Sequence, residues 1–128
     1  MGQQQLLLII LGVIVVGIAI AIGVSMFSAA SISSNKDGII NDLNNLAANA
    51  FQYKIRPGTM GGGNGTYTNY AIPLKLRTNA NGIYSTTTVA AKSITFKGIS
   101  SQTVTNTVVV VLDSTGTLTS FTCAGDFQ

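Results

Sequence analysis

The residue types that move protons or hold metals are scarce in this sequence. It has no His and no Glu, so the commonest general bases are missing. Neither a Ser–His–Asp set nor a Cys–His pair can form. The four acids, Asp37, Asp42, Asp113 and Asp126, are scattered and have no imidazole beside them, which is a poor donor set for zinc or calcium. Ser and Lys are both present, but no spacing brings such a pair together. Cys123 is the single thiol, so it has no partner for a disulfide within the chain. It reads as a small buried residue of the last strand, with pairing between subunits as the alternative. The expectation is a non-enzyme with no catalytic residues, metal ligands or cofactor.

Two further patterns could carry chemistry. Lys54, Arg56, Lys75, Arg77, Lys92 and Lys97 lie in a stretch without any acid. They read either as a patch for nucleic acid or another anionic partner, or as solvated strand and loop positions. No nucleic-acid motif supports the first reading. Residues 59–66 read TMGGGNGT, and their glycine density predicts a flexible connection. No Gly-Lys-Ser/Thr follows, so this is not a phosphate-binding loop. Asn64-Gly65-Thr66 fits the N-glycosylation pattern, making Asn64 a candidate attachment site.

What must position these residues is organised around residues 6–27, LLLIILGVIVVGIAIAIGVSMF. No charge occurs in this stretch, and none precedes Lys36. About 22 helical residues rise about 33 Å, enough for a bilayer core of about 30 Å. In lipid the backbone must satisfy its own hydrogen bonds, so the β-branched residues are expected in a helix despite their strand preference. Gly17, Ala21 and Ser25 are spaced four apart, and Gly12, Ala19, Gly23 and Ala30 form a second stripe of small residues. Such stripes let helix backbones approach closely, which predicts packing against copies of the same helix. Gly and Ala are also common in membrane helices generally.

Met1-Gly2-Gln3-Gln4-Gln5 precedes this helix. A secretory signal peptide would carry a basic start, a shorter apolar core and a cleavage site beyond it. The Gly2-Gln3 step, the apolar helix directly after it and the amphipathic continuation instead resemble the type IV pilin superfamily with its class III signal peptide. The resemblance covers roughly the first 55 residues. It implies that a prepilin peptidase cuts between Gly2 and Gln3, leaving the apolar segment on the mature subunit. It also implies a cytoplasmic N-terminus and an external head. Charge adds little to that orientation, because Lys36 adjoins Asp37. One departure stands out. Many members carry a glutamate at the fifth mature position, and here that place falls to Leu7, or to Gln5 if Met1 is the mature start.

Residues 28–38, SAASISSNKDG, are weak helix formers and predict a bend or loosened turn. Ile32, Ile39, Ile40, Leu43, Leu46, Ala47, Ala50, Phe51 and Lys54 then follow a three/four spacing, an amphipathic helix ended by Pro57-Gly58. Residues 67–77 read as a short helical turn or an irregular lid. Strands are expected at 83–91, 93–99, 103–113 and 117–123, with a hairpin turn at 113–116. The apolar run 108–112 suggests a central strand covered on both faces.

The resulting expectation is an α+β fold. A membrane or filament-core helix (1–30) and an amphipathic helix (31–56) are followed by a four-stranded antiparallel β-rich head (57–128). The expected function is that of a structural subunit in an extracellular, type IV pilus-like helical homopolymer. Its implied partners are the cytoplasmic membrane before assembly, the prepilin peptidase and the pilus assembly machinery. A secretion-system pseudopilin and a non-polymerising, membrane-anchored binding module are the alternatives.

Overall fold

The computed structural model describes residues 2–128. The chain forms two compact units, one ending at Ser33 and the other spanning Ser34–Gln128. A single long helix, α1 (Gly2–Ile55), supplies the first unit and continues into the second. Its hydrogen bonding runs unbroken through residues 28–38, where composition predicts a bend. Two polar side chains there are engaged by partners far along the chain. The Asn35 amide donates to the carbonyl of Asn81 (3.0 Å), and the Lys36 ammonium donates to the carbonyl of Phe127 (2.9 Å). Gly38 lies so close to Asn81 that a Cβ there would come within 2.9 Å of its side chain.

In the second unit four strands form an antiparallel meander in the order β1 (Gly82–Val89), β2 (Ile94–Ser100), β3 (Thr107–Leu112) and β4 (Leu118–Ala124). The ladder pairs Ile83 with Ile99, Phe96 with Val110, and Val108 with Cys123. Strand side chains alternate between faces. One face therefore presents Tyr84, Ile94, Phe96, Val108, Val110 and Leu112, all buried, and α1 contributes Ile39, Leu43, Leu46, Ala47 and Ala50 to the same core. Burying each large apolar side chain contributes about 1.5–3 kcal/mol. Gly98 sits in the middle of β2 because helix and sheet meet there. A Cβ would lie 2.7 Å from Ile39 Cγ2 and 3.2 Å from the Tyr84 ring.

Three further sequence expectations are corrected. The strand expected from Thr103 begins at Thr107, because 103–106 form a turn in which the Asn106 N–H donates to the Thr103 carbonyl (3.0 Å). The run 108–112 is covered on one face only. Val109 and Val111 are half-buried, since the unit has one long helix to lay against its sheet. The glycine-rich segment is an ordered collar on the end of α1. A 3-10 turn, Gly58–Met60, starts it. The N–H groups of Gly63, Asn64 and Gly65 then donate to the carbonyls of Tyr53, Arg56 and Lys54 at 2.7, 3.1 and 2.7 Å. Carbonyls of a last helical turn have no partner within the helix, and here the collar supplies them. A Cβ on Gly63 would fall 1.9 Å from the Thr66 carbonyl oxygen, so the glycine there permits the fold-back.

Residues 67–77 combine both expected forms. Tyr67, Tyr70 and Ile72 are buried in irregular chain, and Pro73 then leads into the short helix α2 (Leu74–Arg77). Proline suits that place because the first N–H groups of a helix have no internal partner.

Candidate functional site

The residues singled out for processing and packing all lie in the first unit. Every described residue as far as Ala30 is exposed, including Gly2 and Gln3. Sixteen large apolar side chains between Leu6 and Phe27 are each more than half exposed. The helix is long and apolar enough to cross a membrane, and its most apolar stretch has no part buried within the chain. An α-helix that is apolar all round belongs inside lipid or inside a larger protein core.

The small residues form two faces. At about 100° per residue, Gly12, Ala19, Gly23 and Ala30 fall within about 40° of one another. Gly17, Ala21 and Ser25 span about 80°, centred on the opposite side of the helix. A Cβ added at Gly12, Gly17 or Gly23 would meet nothing within 4 Å. Nothing within the chain therefore requires glycine at these positions, although each costs about 1 kcal/mol against Ala in a helix. Four glycines of the second unit differ. Gly62, Gly63, Gly82 and Gly98 would each put a Cβ closer than 3 Å to another atom.

Asn64 is exposed in the collar, with left-handed φ of 52°. The Thr66 hydroxyl that completes its motif donates to the Gly63 carbonyl (2.9 Å), so glycan attachment to the folded loop would have to open that bond. Cys123 lies in β4 and is half-buried rather than buried. It stands on an edge strand opposite Val108, where only one side is paired. Among the cations of the acid-free stretch, Lys54 turns inward. It donates to the Ser114 carbonyl and lies over the Phe51 and Tyr67 rings, 5.7 and 5.4 Å from their centroids. Arg56, Lys75, Arg77 and Lys92 are exposed, and Lys97 is half-buried in β2.

One further cluster has no motif in the sequence. The Asp42 carboxylate accepts hydrogen bonds from the Asn79 amide (2.8 Å), the Asn81 amide (2.9 Å) and the Tyr84 hydroxyl. Beside it, buried Asn35 accepts from the Ser100 hydroxyl (2.5 Å) while donating to Asn81. Burial pushes the Asp42 carboxyl up, but the bonds from Asn81, Tyr84 and Asn79 outweigh it and hold the group below the usual carboxylate range. Burial and the bond to Asp42 push the Tyr84 hydroxyl up. This network pins α1 to the loop before β1 and to the end of β2. The available signal was spacing. Asn35 and Asp42 are seven apart and fall on the same helical stripe as Ile39 and Leu46.

No family model matches the chain, and no curated protein or solved structure is significantly similar to it.

Proposed function

We propose that this chain is a structural subunit of an extracellular filament like a type IV pilus. Its apolar helix holds it in the cytoplasmic membrane first and then polymerises in the filament core. The observation that carries this reading is a helix exposed on every side, with small-residue faces on two opposite sides whose glycines meet nothing in their own chain. A lone membrane anchor needs length and apolarity but no seam. A subunit that packs helices on two sides needs close approach on both. Contacts between different faces generate an open helical fibre wherever their rotation does not close a ring. Residue order supports the same reading: a Gly2-Gln3 step, an apolar helix, an amphipathic continuation, then a four-stranded antiparallel sheet. Prepilin peptidase would release the subunit for assembly by cutting between Gly2 and Gln3.

The test is electron microscopy of filaments sheared from cells that make the chain, with mass spectrometry of its N-terminus. The expected result is filaments that contain the chain, that begin at Gln3 and that vanish when its gene is deleted. The same filaments in the deletion strain would overturn the proposal. So would detergent-soluble monomers as the sole form.

A further inference from the structure

Two clefts open side by side on the second unit, and Tyr70 and Ala71 line both. The first, about 350 Å³, is further lined by Asn49, Tyr53, Arg56 and Asn69. The second, about 290 Å³, has Arg77, Tyr84, Ser85 and Thr86 in its walls. No carboxylate lines either one. Their sizes stand at the small end of ligand sites.

In the first cleft both tyrosine hydroxyls spend their hydrogen on protein acceptors, which leaves the Asn49 amide nitrogen and the Arg56 guanidinium as donors to a ligand. Tyr70 hydroxyl donates to Asn49 Oδ1 (2.8 Å), which fixes that amide with its nitrogen as the remaining donor. Tyr53 hydroxyl donates to the Thr68 carbonyl (2.8 Å), which anchors its half-buried ring beside the cleft. Arg56 is exposed and adds a planar fork of five N–H groups. In the second cleft the Arg77 Nε donates to the Ile72 carbonyl (3.2 Å), which orients its guanidinium while its outer nitrogens remain to bind. Ser85 and Thr86 add hydroxyls there.

Arginine forks match carboxylates. Asn amides and Ser/Thr hydroxyls match a ligand rich in hydroxyls, and a tyrosine face beside them suits the apolar face of a sugar ring. A single-stranded nucleic acid would need several open aromatic faces on which successive bases stack. Tyr70 is only 6 % exposed and meets Tyr53 and Phe96 edge-on, with ring centroids 5.4 and 6.2 Å away, so among the rings lining the two clefts Tyr53 is the one partly open. We infer that the paired clefts beside Tyr70 form a binding site for an acidic oligosaccharide, in which Arg56 takes the carboxylate of one sugar and Arg77 that of the next. This site does not depend on polymerisation.

The test uses the full chain in detergent micelles, titrated with a short oligogalacturonate, with the corresponding neutral oligogalactoside, and with a single-stranded DNA oligonucleotide of equal charge. Expected are saturable binding of the oligogalacturonate and at least about tenfold weaker binding of the neutral sugar, the scale of one charge-assisted hydrogen bond. Arg56→Gln should lose a similar factor, because that guanidinium stands exposed at the cleft edge. Arg56→Lys should recover part of the loss, and Lys92→Gln, outside both clefts, should bind as the parent does. Arg77→Gln should weaken the dimeric and longer ligands more than a single uronic acid. The inference is overturned by absence of saturable binding, by equal binding of the neutral sugar, by indifference to Arg56→Gln, or by tighter binding of the DNA.

Discussion

Asp42 shows how one polar residue on an apolar stripe can fix the place where helix and sheet meet. Asp42→Ala would leave the Asn79 and Asn81 amides and the buried Tyr84 hydroxyl without their acceptor. The expected cost is about 1–3 kcal/mol, read as a lower Tm of the full chain in detergent micelles. Because the folded state holds this carboxyl below its ordinary value, its contribution is fully present above the unfolded value of about 4. It is lost as pH falls through the lower, folded value. The Tm of the parent should therefore hold steady from neutral pH to about pH 5 and drop below about pH 4, more steeply than that of Asp42→Ala. Gly98 works through space rather than charge. Gly98→Ala would place a methyl 2.7 Å from Ile39 Cγ2, and such overpacking costs about 1–3 kcal/mol. In an Ile39→Ala background the penalty should shrink, because the obstructing methyl is gone. Two purely additive Tm shifts would place the strain elsewhere.

At the scale of elements, the collar on α1 decides how firmly the helix ends. Gly63→Ala would drive a methyl into the Thr66 carbonyl and break the fold-back that supplies partners for Tyr53, Lys54 and Arg56. Hydrogen exchange should speed up at the amides of residues 63–65 while amides in β2 and β3 keep their protection. Equal protection throughout would mean that the collar is not what holds the last turn. The amphipathic spacing of residues 39–50 and the four strands were legible in the sequence because periods of 3.6 and 2 report directly on a buried face. Ile94, Phe96 and Gly98 do face the core together, as their alternation implies. The collar was not legible. Glycine density signals only that unusual backbone is allowed, and the hydrogen bonds that order it arise between segments about ten residues apart. The unbroken helix through residues 28–38 was missed for a related reason. Local propensity disfavours it, and the partners that override propensity, Asn81, Ser100 and Phe127, lie far along the chain. The clefts beside Tyr70 unite residues from position 49 to position 86, so sequence offered only their acid-free, cation-bearing composition.

For the whole molecule, the proposed filament turns on whether bulk is tolerated on the small-residue faces. Gly17→Leu meets nothing within its own chain, so near-UV circular dichroism of the subunit in micelles should be unchanged. In a lipid bilayer an extra Leu is as acceptable as any residue, and membrane levels should match the parent. In a filament core the same side chain would separate backbones at every subunit, at about 1–3 kcal/mol per site. Filament yield should collapse, while Val16→Leu, which trades one large apolar residue for another, should still assemble. Normal filaments from Gly17→Leu would show that this face is not the seam.

The two kinds of glycine in this chain have a consequence for how it would tolerate variation. A saturation library sorted for delivery of a folded subunit to the membrane should be depleted of substitutions at Gly62, Gly63, Gly82 and Gly98, where the chain's own atoms exclude a Cβ, yet permissive at Gly12, Gly17 and Gly23, where the space is empty. Sorted instead for filaments, the same library should lose variants at both sets. The difference between the two profiles would map, position by position, the constraint that neighbours impose on one another, separated from the constraint that each subunit imposes on itself.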